Sequence, residues 1–485
     1  MVSPQQKIQL SSFSGLYDLI VPKENLLRKI SELIDFNFIY TELVDKYCST
    51  NGRTAESPIR MFKYLLLKTI YAVSDVDVVE RSRYDMSFKY FLEMSPEEEV
   101  INASSLTKFR KLRLKDTDLL NLLISKTVSI AIDKGIIRSK SIIVDATHSL
   151  SRSNPYSALE VLRDRAKLLR KAVYAVDEDM KDHMPEKNDS GELDKELTYC
   201  KELEKYIESD QTLCLIPAVK EKLNLLKETV DDTREKYMFS KDRDAKIGHK
   251  SSDSSFFGYK THLAMTEERI ITAAIVTSGE KSDGPELPEL LEISRDNGIE
   301  VDTVIGDSAY SGKENLKLKD KDDQSIKIVA KLSPSITQGF RKDEEKFDYN
   351  KDADRFVCPA GHMAIRKARG GKKDVGGNQV DTYYFDVEKC KLCPLRDKCY
   401  KPGAKTKTYS VSIKSSLHQE QMVFQETEYY KEKARHRYKI EAKNSELKNV
   451  HGYGRAISYG ITNMQMQGAI AIFTVNLKRI IKLTT

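Results

Sequence analysis

A switch in hydrophobic period limits this fold more than any other feature of the chain. Ser141 to Val144 form a short β-rich run that ends at Asp145, the pattern of a buried strand. Phe256 to Met265 and Ile270 to Thr277 are strand-like too, and Glu267 and Glu268 between them predict an antiparallel hairpin. A helical stretch from Pro285 to Asn297 leads to a strand at Thr303 to Gly306, which ends at Asp307. Another follows at Ile326 to Ala330. Strands joined by crossover helices predict an α/β core, a mixed sheet flanked by helices.

Helical period surrounds that core. Ser57 followed by Pro58 reads as a helix start ahead of the apolar run from Ile59 to Ile70. Ser104 and Ser105 read as caps of a helix carrying Leu106, Phe109 and Leu112 on one side. Leu120, Ile124, Val128 and Ala131 mark a helix that stops at Gly135. Further on, Leu159, Leu162, Ala166, Leu169, Val173 and Val176 advance in steps of three and four. Val219, Leu223, Leu226 and Val230 do the same, which predicts a long helical hairpin. From Glu426 to Leu483 the period is again helical. A chain of 485 residues is long enough for about two to four domains. The expected division is a helical domain over 1–115 and an α/β domain over 116–485. Helical residues 151–240 and a cysteine-containing segment, 345–412, interrupt the second.

Composition narrows the function classes. No apolar run approaches the roughly 20 residues a membrane helix needs, and MVSPQQKIQL lacks a signal-peptide pattern. Seven unevenly spaced cysteines do not make a disulfide scaffold, so a reducing cytosol is expected. The net charge is only +6, but it is segregated. From Lys431 to Thr485 eleven basic residues face three acids, a net of +8, leaving −2 for the rest. Lys108, Arg110, Lys111, Arg113 and Lys115 form a second basic group. Each is either an electrostatic footprint for a polyanion or a solvated helix face.

Asp145 and Asp307 both stand at the ends of apolar strands, where side chains leave the core yet sit on rigid elements. The helix after Tyr429 offers a third acid. At 100° per residue, Arg437 at 0° places Glu441 at about 40°, Asn444 at about −20° and Lys448 at about 20°, whereas Glu446 faces the opposite side. An ordinary Arg437–Glu441 helix pair is the alternative. Carboxylates 4 Å apart repel by roughly 1–4 kcal/mol, which hard divalent cations relieve, and all-oxygen ligands favour Mg²⁺ or Mn²⁺. A pair of such ions suits phosphodiester displacement, with Arg437 and Lys448 to neutralise phosphate.

Cys358, Cys390, Cys393 and Cys399 form a separate group, two of them at the C-x₂-C spacing of a tetrahedral site. The expectation is a Cys₄ structural zinc, with His362 able to replace one sulfur. Free or redox-active thiols are the other option. Arg366, Lys367, Arg369, Lys372 and Lys373 make a basic loop nearby.

Taken together these motifs resemble the DDE transposases of bacterial insertion sequences. Leu33 to Met94 is similar to the helical N-terminal domain of one branch of that family. SIIVDATH resembles its first-acid motif and FFGYKTHLAMT the strand that follows. VIGDSAYSGKEN resembles the second-acid motif and RYKIEAKNSELKNVHGYGRA the third. The resemblance implies a ribonuclease H-like core with Asp145, Asp307 and Glu441 as metal-binding acids and Arg437 and Lys448 as their basic companions. Ala434 stands where the family has a tyrosine, so that element is missing or supplied by Tyr430 or Tyr438. His148 either faces the site or is structural, and Tyr310 is expected to pack near the second acid. The implied reaction is metal-dependent hydrolysis at the transposon ends, then attack of the freed 3′-hydroxyl on target DNA. Implied partners are double-stranded DNA and further copies of the chain, as a homodimer or larger synaptic assembly. The implied setting is the bacterial cytoplasm and nucleoid. A nuclease on the same scaffold and a non-catalytic DNA-binding derivative remain the alternatives.

Overall fold

The structure, a computed structural model, describes residues 11–48, 55–153, 157–234, 240–251, 254–319, 324–333, 347–350, 352–370, 380–412 and 416–484. At its centre is a curled mixed sheet. Its strands are β1 (Ser141–Leu150), β2 (Lys246–Ser251), β3 (Ser254–Thr266), β4 (Ile271–Ser278), β5 (Thr303–Ile305) and β6 (Lys327–Val329). β3 runs antiparallel to β1 on one edge. On the other it takes β4 along residues 259–265 and β2 along 254–258. β5 is parallel to β1, and β6 is parallel to β5. The order is therefore β4–β3–β1–β5–β6, with antiparallel pairing to one side of β1 and parallel pairing to the other.

β1 is longer than its apolar run suggests. It continues past Asp145 to Leu150, pairing residue by residue with β3 from Asp145–Leu263 to Leu150–Gly258. Asp145 thus ends only the parallel half of the strand, beside β5. The extension is polar, and its pairing with β3 rather than its own propensity makes it a strand.

The N-terminal helices and the last helix, Ile461–Thr484, share one hydrophobic core with the sheet. Phe473 packs edge-on against Phe36 and Phe62, with ring centroids 6.4 and 5.9 Å apart. Fully burying each such side chain stabilises the fold by roughly 1.5–3 kcal/mol. Inside this core Asn476 accepts from the Ile271 amide and donates to its carbonyl, both at 2.9 Å, fastening the helix to β4. The basic C-terminal stretch is correspondingly half enclosed, and Arg479 donates to the Glu268 carbonyl. Pro58 opens helix Pro58–Tyr71 as expected, and Leu119–Asp133 stops before Gly135, whose φ of +62° needs glycine. The helix Ser104–Phe109 is capped by neither serine. Asn102 accepts from the Ser104 amide instead.

Between β1 and β2 stands a body with its own core. Ala158–Tyr174 and Pro217–Arg234 pack together, but not as the simple hairpin expected, because a third long helix, Leu193–Ser209, comes between them in the chain and lies against both. That helix alternates charged and apolar residues too densely to stand out in the sequence, and Leu203 and Ile207 are its buried anchors. The cysteine-bearing segment forms a hairpin, β7 (Asp348–Asn350) with β8 (Arg355–Val357), and a three-stranded sheet. That sheet consists of β9 (Arg366–Gly370), β10 (Val380–Phe385) and β11 (Lys407–Ser412). Its core is only Phe347, Ala364, Tyr383 and Phe385 with a few half-buried neighbours. No helix among the described residues is long and apolar enough to cross a membrane.

Candidate active site

The parallel register of β1 with β5 assembles the first two acids. Ile143 pairs with Ile305, so two residues further on Asp145, still within β1, and Asp307, just past the end of β5, come close enough to act on one another. Asp307 then begins a short 3₁₀ turn, accepting from the Ala309 amide at 2.9 Å. Gly306 is required before it, because a Cβ there would meet the Tyr310 ring at 2.7 Å and Val144 at 3.0 Å. Burial pushes the Asp145 carboxyl up to about 6. The neighbouring Asp307 and Asp283 push the same way, and the Arg437 guanidinium opposes them.

The third-acid helix lies along β1. Thr427 caps it at the Tyr430 amide, and Lys433 reaches the β3–β4 turn at Glu267, 2.6 Å away. It is not one regular helix. Glu428–Ala434 passes through a 3₁₀ turn at Arg435–Arg437 into Tyr438–Ser445 and then a π-turn over Glu446–Val450. Two members of the expected face still meet β1. Asn444 donates to Asp145 Oδ2 at 2.9 Å, and Lys448 Nζ lies 3.3 Å from His148 Nδ1. The π-turn absorbs one extra residue, a device frequent at functional sites.

Glu441 does not close a triad here. It is 56% exposed and pairs with Arg437 at 3.4 Å, the ordinary helix pair of the alternative. Arg437 therefore stands between the acids, acting on Asp145 and holding Glu441. Among the described residues no group of three or more His, Cys, Asp or Glu is arranged to hold a metal ion. The donor set of the aspartate pair nonetheless fits a hard divalent cation. It is all oxygen, two like charges converge on it, and two buried oxygens, Tyr310 Oη and Asn444 Oδ1, have no hydrogen-bond partner. Neither candidate for the missing tyrosine joins the site. Tyr430 is buried against Phe424, and Tyr438 is exposed beside Arg269.

Three residues at the site went unassigned in the sequence. Asn444 was on the predicted face but carried no role. Asp283 follows β4 with no periodic signal, and it pairs with Lys260 at 2.9 Å and approaches His262 Nδ1 at 3.7 Å. His262 is fully buried on β3, bonded through Nε2 to Thr277 Oγ1, and burial lowers its pKa to about 4. Tyr310 does pack near Asp307 as expected, but it is more than packing. Asn315 donates to its carbonyl and to that of Gly284, which seats the ring beside Asp283. Burial first, then Asp283, Asp145 and Asp307, push its hydroxyl pKa upward.

Away from this site, Cys358, Cys390, Cys393 and Cys399 line one cavity with His362 and Lys407. The His362 amide donates to Cys358 Sγ at 3.3 Å and the Leu395 amide to Cys393 Sγ at 3.4 Å. The four sulfurs gather without forming a closed metal shell. Of the basic loop, Arg369 pairs with Asp381 and Lys367 with Asp354, while Lys372 and Lys373 lie outside the described residues. The N-terminal basic helix also divides. Arg110 pairs with Asp75, and Arg113 donates to the Lys46 carbonyl and covers the Tyr47 ring at 4.3 Å. Lys108 and Lys111 are exposed. The two arginines thus tie N-terminal helices together, through partners too distant in the chain for spacing to indicate.

Two comparisons with known families bear on this arrangement. Residues 16–112 match the model described as Transposase domain (DUF772), and residues 357–481 match the model described as Transposase DDE domain. The second match takes in the four cysteines, Arg437, Glu441 and Lys448, and does not reach Asp145 or Asp307. No curated protein and no solved structure gave a significant match.

Proposed function

We propose, from the premise that the chain belongs to the DDE transposases of insertion sequences, that Asp145 and Asp307 form the metal-holding floor of a DNA-cleaving site. Glu441 completes it by leaving Arg437. The strand order β4–β3–β1–β5–β6, antiparallel then parallel about β1, supports a ribonuclease H-like core. Bound Mg²⁺ or Mn²⁺ would supply charge neutralisation and activation of the attacking oxygen. The chain's own groups do the rest. Asn444 orients Asp145, while Arg437 and Lys448 face the phosphate that lies over the acids. Hydrolysis at a transposon end breaks one P–O bond and leaves a 3′-hydroxyl. In strand transfer that hydroxyl forms one P–O bond to target DNA as another breaks, so no external energy source is needed.

The observation that carries this proposal is the in-register placement of Asp145 beside Asp307, with an Asp145 carboxyl at about 6 that begs for positive charge. The test uses purified full-length protein, Mg²⁺, and DNA carrying the repeats that flank its gene. Alanine at Asp145, Asp307 or Glu441 should abolish cleavage and leave end binding intact. Normal cutting by each variant would refute the assignment. Joined products separate a transposase from a nuclease, and their formation requires two ends in one homodimer or larger assembly. On this reading the work is done on DNA in the bacterial cytoplasm and nucleoid.

At the cysteine cavity the same proposal includes one structural zinc held by Cys358, Cys390, Cys393 and Cys399. Amide donors already aimed at two sulfurs support it, since they stabilise thiolates. It would staple a segment whose own core is four residues. Metal analysis should find about one zinc per chain, lost in Cys393→Ser, and a zinc-free preparation that is equally stable would refute it.

A further inference from the structure

The three-helix body between β1 and β2 takes no part in the chemistry just described, yet its first helix is strongly basic. Ala158–Tyr174 carries Arg163, Arg165, Lys167, Arg170 and Lys171 against Glu160 and Asp164. Leu162, Ala166, Leu169 and Val173 turn into the bundle core. Arg163, Lys167, Arg170, Lys171 and Tyr174, at steps of four, three, one and three, make one stripe along a groove of about 500 Å³. Lys187, from the segment joining the first helix to the second, faces the stripe.

Arg170 forms the floor of that groove. Its residue is only 7% exposed. Its Nε donates to Tyr174 Oη at 2.8 Å, and its Nη1 donates to the Pro185 carbonyl at 2.9 Å and to Tyr199 Oη at 2.7 Å. All three acceptors are neutral. Burial disfavours its charge, but the bonds to Tyr199 and Tyr174 outweigh that and raise its pKa, so the guanidinium stays charged. Neither acid that lines the groove is among these partners. Glu196 is buried and receives Arg163 at 3.3 Å and Asn188 at 2.9 Å, and Asp189 is exposed. Five cations against two acids leave the groove with a net charge of +3.

We propose that this groove is an anion site for the phosphate backbone of DNA, with Arg170 as its buried anchor and Lys167, Lys171 and Lys187 as its rim. The proposal rests on the transposase reading for its choice of polymer. Position supports that choice. The body leaves the sheet at the end of β1, five residues beyond Asp145, at most about 17 Å along a strand. The strand that carries Asp145 is thus the one from which the body departs. The three neutral partners take up Nε and Nη1 and fix the guanidinium plane, which leaves Nη2 as the donor for a phosphate.

The test is binding of full-length protein to end DNA without divalent metal, measured across a salt series. Each lost phosphate contact lowers the slope of log K against log salt by about 0.9. Lys167→Glu with Lys171→Glu, both exposed, should lower the slope by about 2 and weaken binding at least tenfold at low salt. Lys220→Glu, on the same body but outside the groove, should change the slope by less than about 0.5. Arg170→Gln should lower affinity too, with circular dichroism to confirm its fold. Inorganic phosphate is the second probe. Stabilisation of wild type by phosphate with no change of DNA slope in the double variant would assign the groove to a free anion and overturn the proposal. An unchanged slope with no phosphate effect would overturn it outright, while metal-dependent cleavage by wild type would leave the transposase reading standing. If wild type neither binds nor cuts DNA, both fall.

Discussion

Replacing Asp145 by asparagine should make the metal-free protein more stable at neutral pH while removing its cleavage activity. Burial, Asp307 and Asp283 hold this carboxyl at about 6, roughly two pH units above an unperturbed aspartate. At 1.36 kcal/mol per unit, the ionised side chain costs the folded state roughly 3 kcal/mol relative to the unfolded chain. Between about pH 4 and 6 the folded protein binds more protons at this group than the unfolded one. The aspartate's contribution therefore worsens as pH rises through that window and stays unfavourable above it. Asparagine keeps an oxygen to accept from Asn444 and has no charge to bury. The expected gain is about 3 kcal/mol at pH 8 and close to zero at pH 4. For a cooperative unit of about 200 residues that is roughly 6–12 °C in Tm. Thermal melts of wild type and Asp145→Asn in a chelator at several pH values give the difference directly. Added Mg²⁺ should raise the wild-type Tm and leave the variant where it is. Equal pH dependence of the two proteins, or a variant less stable at pH 8, would refute the electrostatic account of the site.

Other outcomes follow from neighbouring residues. His262 is buried neutral with its pKa lowered to about 4, so its contribution is complete above about pH 6.5 and is lost as pH falls toward 4. His262→Gln should flatten acid unfolding over that interval, as measured by melts at pH 4 to 7. Tyr310→Phe removes a hydroxyl with no protein partner. Its Tm should stay within about 1 °C of wild type, while Mn²⁺ affinity by calorimetry and cleavage rate should both fall. Gly468→Ala puts a Cβ at 2.6 Å from Tyr453 Oη, and that fully buried hydroxyl is held by Thr261 at 2.7 Å. Overpacking by about 1–3 kcal/mol should outweigh the usual helix gain of about 1, and urea unfolding should show net destabilisation or, at the least, no gain.

The sequence carried the local half of this structure. Strand-like runs at Phe256 to Met265 and at Ile270 to Thr277, on either side of the turn residues Glu267 and Glu268, marked β3 and β4, because composition and turn signals are local to the chain. Helical period specified Pro58–Tyr71 and Leu119–Asp133 for the same reason, and the apolar runs before Asp145 and Asp307 marked where two acids would emerge. The wheel put Arg437, Glu441, Asn444 and Lys448 on one face, of which Asn444 and Lys448 meet β1 while Glu441 stays with Arg437. Tertiary structure decided the rest. Only the β1–β5 register brings Asp145 beside Asp307, and only burial in the folded core, with smaller pushes from Asp307 and Asp283 against Arg437, raises the Asp145 carboxyl. Glu441 chose Arg437, Arg110 chose Asp75, and Arg170 found three neutral oxygens. An ion pair or a buried charge is set by distance and dielectric, and both come into being only when remote segments pack. Periodicity is written along the chain, but which charges meet is written in the folded contacts.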